Sequence, residues 1–251
     1  MTPTNFDPVQ QGMSSETELP SRFDDTVDHQ ASVSTALASV FRGKFCDLIL
    51  PNRKAITFDK HQVIYSIGDE ERTFFFLQNG FAKVGTITPS GREVIYDVRR
   101  GGDVVGELCA LERRRMDQAT ALEPTDAIPV PFEELMELVL KKPGLVSLLI
   151  DVFGHALKEE AYAQVNILAV DDMVHRLAKV LINLAQKLGQ ASGSPVEIPT
   201  YLTQEEIAQM VAARRERVST ALNSLRRLGL VHFSTRGRLV VNVSALESHS
   251  A

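Results

Sequence analysis

The chain has 251 residues, 44% hydrophobic and 24% charged, with 27 Lys+Arg against 32 Asp+Glu and a formal net charge of −5. That balance suits a soluble protein large enough for two domains and argues against a general polyanion binder. Its longest apolar runs fall far below membrane-spanning length, its N-terminus has no basic-then-apolar signal pattern, and its two cysteines, Cys46 and Cys109, form neither a disulfide framework nor a metal-ligand pattern. A cytoplasmic location without membrane contact is therefore expected.

Residues 1–40 are rich in Ser, Thr, Asp and Gln, carry six acidic residues against one Arg and show no sustained period. Such a composition predicts a disordered N-terminal tail, to which no function is assigned. From 45 to 131 short apolar or alternating runs (55–58, 62–65, 73–78, 81–86, 93–98, 103–105, 127–130) are punctuated by Gly68, Gly80, Gly91 and Gly101-Gly102. Short strands with glycine turns at roughly ten-residue spacing predict a β-sandwich or jelly roll. A short helix at 132–140 closes this domain, placed at 41–142.

Pro143 starts a longer helical pattern, with an apolar stripe through Leu149, Ile150, Phe153, Leu157, Ala161, Gln164, Ile167 and Leu168. A helix of about 27 residues is near 40 Å long, more than a small β-roll covers, so part of the stripe needs another partner. A second copy in parallel, with a coiled-coil-like seam, is the least demanding solution. Residues 143–170 are thus expected to be a dimerisation helix, with Ile150, Phe153, Leu157, Gln164 and Ile167 at the seam of a homodimer. Asp171-Asp172 fits a cap for a further helix at 173–188 that Gly189 ends, and 193–195 link into the final segment of a domain placed at 171–251.

That segment, 203–231, predicts two short helices. Thr203 and Glu206 fit a capping box, and Ile207, Met210 and Val211 follow at helical spacing. After a break at Ala212-Ala213 a second helix opens with Arg214, Arg215, Glu216 and Arg217 in its first turn. Its apolar seam is Val218, Leu222, Leu225 and Leu228, and Gly229 stops it. Two β-rich runs then flank Thr235-Arg236-Gly237-Arg238, a hairpin with a basic tip. Residues 201–238 hold seven Arg against three Glu in a chain of net charge −5. An Arg-Glu pair at a helix start, a wing and a local basic face predict a winged helix-turn-helix that reads the major groove of double-stranded DNA. A plain helical hairpin with a wet basic face accounts for none of the three together. Ala212 stands where such turns usually place Gly, at a cost of about 1 kcal/mol if the backbone there is left-handed.

A β-roll, a long helix and a winged helix-turn-helix, in that order, resemble the CRP/FNR family of bacterial transcription regulators over about residues 45–243. The specific residues are Gly68-Asp69, Gln78-Asn79-Gly80 before Phe81 and Val84, Gly102-Asp103, Gly106-Glu107-Leu108, Asp172, Arg176 and the helix-turn-helix itself. The resemblance implies an α+β fold, a non-enzymatic homodimer on an inverted-repeat operator, and RNA polymerase as a further partner. It also implies an effector pocket in the roll, formed by Gly106, Glu107, Asp117 and Gln118 with Ala161 and Tyr162 from the long helix. In cyclic-nucleotide binders of the family an Arg-Ser pair that grips the cyclic phosphate stands where this chain has Asp117-Gln118. The Thr-Ser pair that meets the purine is replaced by Ala161-Tyr162. An Asp facing a phosphate repels it, so the expectation is a degenerate pocket that does not respond to cyclic AMP.

No cofactor or metal is expected. The iron–sulfur branch needs a cysteine cluster that is missing here, and His61, His155 and His175 stand isolated, away from any haem pattern. Arg113-Arg114-Arg115 reads as a solvated run near the pocket mouth, with contact to an anionic effector or partner as its alternative. On DNA, the family's base-reading Arg-Glu pair matches Arg215 and Glu216, and a branch-specific Ser matches Ser219. Thr220 takes the place of a further base-reading Arg, so the half-site should share part of a GTGA or TTGAT type of core. Arg214, Arg217, Arg236 and Arg238 are the expected phosphate contacts. One rival reading is a cyclic-nucleotide-gated or other small-effector-gated regulator of the same architecture. Another is a cupin-like metalloenzyme, which would need converging His/Glu ligands that the sequence does not supply.

Overall fold

The computed structural model describes residues 50, 52–110, 113–142, 144–146, 150, 172–189 and 194–250. The expected tail and the expected contacts of Phe153, Leu157, Ala161, Tyr162, Gln164 and Ile167 lie outside these residues. No described helix is long and apolar enough to cross a membrane.

Eight strands build the roll: β1 Ile56–Phe58, β2 Val63–Tyr65, β3 Thr73–Leu77, β4 Phe81–Ile87, β5 Glu93–Arg100, β6 Val104–Val105, β7 Gln118–Ala121 and β8 Thr125–Pro131. They form two four-stranded sheets, ordered β1-β8-β3-β6 and β2-β7-β4-β5, with antiparallel pairing. The run TFFFL of β3 is buried at all five positions because both of its faces are covered. Phe75 and Leu77 point into the space between the sheets with Tyr65, Val84 and Ala119. Phe74 and Phe76 point the other way, beneath Leu135 and Val139 of α1 (Phe132–Lys141). Alternation along a strand with two hydrophobic neighbours thus accounts for a run with no polar side.

A bulge sets up the pocket. Val84 pairs with Asp97 but Gly85 pairs with Ile95, so Tyr96 is the extra residue of β5. Gly85 is required there, since a Cβ on it would stand 2.4 Å from the Val94 carbonyl oxygen. The extra residue lets Tyr96 pack inward while Ile95 and Val98 join the core shared with the C-terminal helices.

That second core belongs to the C-terminal module. Helix α2 (Met173–Leu188) is capped by Asp172, whose carboxylate accepts the N–H groups of Val174 and His175, and Gly189 is its C-cap. Its apolar stripe, Leu177, Leu181, Leu184 and Leu188, is buried against α3 (Gln204–Met210), α4 (Arg215–Arg227) and α5 (Val243–Ser250). A three-stranded sheet, β10-β11-β9, made of β9 Val196–Glu197, β10 Val231–Phe233 and β11 Leu239–Val241, completes it. Strand β7, with sequence QATA, has few of the β-branched or aromatic residues that mark strands. Strand β9 is only two residues long, and α5 begins without the apolar period that identified the others.

Of the long helix, residues 144–146 and 150 are helical. Leu145 is buried under the outer face of the roll, whereas Ile150 is 66% exposed.

Candidate nucleic-acid interface and effector pocket

Helix α3 starts as its residues require. The Thr203 hydroxyl accepts the Glu206 N–H at 3.1 Å, and the Glu206 carboxylate accepts the Thr203 N–H at 2.9 Å. Ala212, in the turn that follows, has φ +50°, so the left-handed position falls on a residue with a Cβ. Arg214 is the N-cap of α4 rather than a residue of its first turn, and makes no side-chain cap. Val218, Ala221, Leu222 and Leu225 sink one side of α4 into the core. Leu228, expected in that seam, is the C-cap and is 58% exposed because the helix ends at Arg227, with Gly229 turning away at φ +72°.

Arg214, Arg215, Glu216 and Arg217 are all exposed at the N-terminus of α4. Three cations gather where the helix dipole favours anions, an arrangement that costs stability and that a phosphate backbone would relieve. Ser219 is half-buried. Thr220 is exposed, but its hydroxyl donates to the Glu216 carbonyl at 3.0 Å, one turn back. The wing closes through Ser234 N–H to Arg238 O at 2.8 Å and Gly237 N–H to Ser234 O at 2.9 Å. Arg236 stands exposed at its tip, whereas the Arg238 guanidinium is drawn back to 3.6 Å from the Glu197 carboxylate of β9.

The roll carries a second site, a cavity of about 290 Å³ lined by Thr86, Tyr96, Glu107, Leu108, Met116 and Asp117. Two expected pocket residues, Glu107 and Asp117, line it; Gly106 and Gln118 flank them. Asp117 is buried, and its Oδ2 accepts the hydroxyls of Tyr65 at 3.0 Å and Tyr96 at 2.8 Å. Burial, with the Asp117 charge beside it, pushes the Tyr65 hydroxyl far above the usual phenol range. Glu107 Oε1 accepts from Arg99 Nη2 at 3.0 Å; burial nevertheless raises its carboxyl above the ordinary value, with Arg99 opposing.

Arg115 corrects the expectation of a solvated triple-Arg run. Arg113 and Arg114 are exposed, and Arg114 pairs with Glu70 at 2.9 Å. Arg115 is only 4% exposed: Nη1 donates to Gly106 O at 3.2 Å, Nη2 to Thr73 O at 2.5 Å, and its guanidinium lies 4.0 Å from the Tyr65 ring centre. Gly106 admits it, with φ +85° and room for no Cβ, which would stand 2.8 Å from Arg115 Nη1. The sequence did not single out Tyr65, Thr86, Tyr96 or Met116, and named Leu108 only as part of the Gly106-Glu107-Leu108 motif; Tyr96 enters only through the bulge of β5, which has no sequence signature beyond Gly85.

Polar side chains join pocket to module. Gln118 Nε2 donates to Glu93 Oε1 at 3.2 Å, and Glu93 Oε2 accepts from Gln209 Nε2 of α3 at 2.9 Å. Lys83 stands 3.9 Å from Glu93 and 3.4 Å from Glu206, while Arg92 Nη1 donates to the Ala212 carbonyl at 3.2 Å. Lys187 of α2 and Arg99 both pair with Asp97. Burial alone would raise the Asp97 carboxyl, but these two cations hold it below its ordinary value. Among the described residues no group of three or more His, Cys, Asp or Glu is placed to hold a metal ion.

A roll with a pocket, bonded through side chains to a winged helix-turn-helix with an exposed basic helix start, is the architecture of a DNA-binding regulator. The comparisons with known proteins agree. Residues 55–142 match the cyclic nucleotide-binding domain and 175–248 the Crp-like helix-turn-helix domain. The chain belongs to the CRP/FNR family of DNA-binding transcription regulators. It is 26% identical over 209 residues to the CRP-like cAMP-activated global transcriptional regulator of Mycobacterium tuberculosis, covering 82% of this chain and 93% of that protein. It is 25% identical over 223 residues to the global nitrogen regulator of a Synechocystis species, covering 88% of this chain and 98% of the relative. FixK2 from Bradyrhizobium japonicum shares the fold, with a TM-score of 0.64 at 20% identity over 80% of this chain and 98% of that one.

Proposed function

We propose that this protein is a homodimeric, sequence-specific regulator that reads an inverted-repeat operator and does not respond to cyclic AMP. The observation that carries the DNA reading is the start of α4, where Arg214, Arg215, Glu216 and Arg217 stand exposed beside a buried seam. Arg215 forks onto a guanine and Glu216 accepts from a cytosine amine. Ser219 and Thr220 make lesser base contacts, and Arg214, Arg217, Arg236 and Arg238 meet phosphates. The working division is a tail at 1–40, a sensor roll at 41–142, a dimer helix at 143–170 and a DNA-binding domain at 171–251, acting in the cytoplasm with RNA polymerase. The test is a binding-site selection with wild type and Arg215→Ala side by side. Wild type should enrich an inverted repeat and Arg215→Ala should lose preference at one base pair in both halves. Failure of the wild type to enrich any inverted repeat contradicts the proposal.

The dimer rests on the sequence stripe, together with the exposure of Ile150. Replacing Phe153 and Leu157 by polar residues should give monomers in sedimentation and abolish operator binding; a stable dimer would remove the helix from this role.

A second reading, a cyclic-nucleotide-gated regulator, is favoured by the name of the Mycobacterium tuberculosis relative. Asp117 speaks against it: by family register it falls at the position of the phosphate-gripping Arg, and its carboxylate is already held by two phenols. Asp117→Arg with Gln118→Ser should move the pocket toward cyclic AMP binding in calorimetry, whereas wild type should show none.

A further inference from the structure

The cavity in the roll has a definite chemical character. Among the described residues its lining brings two carboxylates, Glu107 and Asp117, two hydroxyls, Thr86 and Tyr96, and two apolar side chains, Leu108 and Met116, but no cation. Glu107 is answered by Arg99 at 3.0 Å. Asp117 has no ion-pair partner among the described residues. It is 3% exposed, its Oδ2 takes both tyrosine hydroxyls, and its Oδ1 is buried with no hydrogen-bond partner among the described residues. Arg115, two residues earlier, does not supply one, since its Nη1 and Nη2 are given to main-chain carbonyls. A buried carboxylate oxygen without a donor is an unusual and costly state, and the wall of a cavity is where a ligand can relieve it.

We propose that this cavity binds a small organic cation, a protonated amine with a short apolar body, whose ammonium group is anchored by Asp117. The ammonium donates to Oδ1, while the tyrosine hydroxyls keep Oδ2. The Tyr96 ring offers its face to the charge, and Leu108 and Met116 cover the apolar part. About 290 Å³ is at the small end of ligand sites, so the ligand is compact. An anion of the same size would meet carboxylate on two sides. This inference rests on the reading of the roll as a sensor and supplies the ligand class for it.

The test is titration calorimetry of the full chain with n-butylammonium, phenethylammonium and diaminobutane, with butyrate and cyclic AMP as anionic counterparts. At least one ammonium ion should saturate the protein at sub-millimolar concentration, and Asp117→Asn should weaken it about tenfold or more. Tyr96→Phe, which frees the carboxylate from one donor, should bind at least as well as wild type. Met116, 56% exposed at the cavity, gives a variant that spares the fold, and Met116→Trp should reduce binding by narrowing the site. The proposal is overturned if no ammonium ion saturates, if Asp117→Asn binds like wild type in a folded protein, or if cyclic AMP binds instead. Enrichment of an operator without amine binding removes this inference alone; amine binding without an operator removes the DNA reading alone.

Discussion

The pocket of the roll and the start of α4 are built from the same kinds of side chain, yet they dispose of them in opposite ways. Beside the pocket Arg115 is 4% exposed and gives two donors to backbone carbonyls, and in its wall Asp117 is 3% exposed under two phenols. At α4, Arg215 and Glu216 stand in solvent at a helix end whose dipole opposes the arginines. Charges tied into buried hydrogen bonds in low dielectric are structural first, whereas charges left open at a disfavoured position are kept for a partner. The first group should therefore fail in stability and the second in DNA recognition.

The largest effect is expected on the roll side. Asp97→Ala leaves Lys187 without its carboxylate and Arg99 with Glu107 alone in a half-dry seam, and should lower unfolding stability by about 3–5 kcal/mol in urea titration. Because the folded Asp97 carboxyl lies below its ordinary value, this contribution is present above the unfolded pKa and fades as pH falls through the folded one. The wild-type advantage should therefore shrink in acid.

Arg215→Ala should do the reverse. Stability stays within about 0.5 kcal/mol of wild type, while operator affinity falls by about 1–3 kcal/mol per half-site and one base preference flattens in a selection. Ala212→Gly sits between the two regions. It relieves a left-handed Cβ at φ +50° and should stabilise the module by about 1 kcal/mol in thermal unfolding, with base preference unchanged. The smallest change is expected from Arg236→Ala at the wing tip. It should weaken all sequences alike and lower the salt slope of binding by about one unit. A sequence-specific loss there would blur the division between the two regions.

The reading end was legible because local signals coincide in one short stretch. Thr203 and Glu206 form the expected box, the turn falls at Ala212 where Gly is usual, and the wing falls at the expected tip. Errors at that end were matters of helix length: Arg214 caps α4 instead of opening it, and Leu228 lies past its end. The pocket was legible only in part. Glu107 and Asp117 could be placed by family register. The burial of Arg115, by contrast, depends on Gly106 giving way to it, and the arrival of Tyr96 depends on a bulge opposite Gly85. These are long-range contacts between strands, and no periodicity along one strand encodes them. Strand β7, which carries Gln118 at its start, went unread for the same reason: QATA gains its place from its neighbours β2 and β4, not from its own propensity.

The contrast between a buried acidic pocket and an open DNA reader meets its most direct test in one titration. Fluorescence anisotropy of a labelled operator, taken from the selection, would be followed against wild-type protein with and without millimolar cyclic AMP. The two binding curves should superimpose, since the buried carboxylate of Asp117 in the pocket should repel a cyclic phosphate. A shift of the curve to lower protein concentration with cyclic AMP would contradict the account, and show that the roll still accepts the anion that its buried carboxylate should repel.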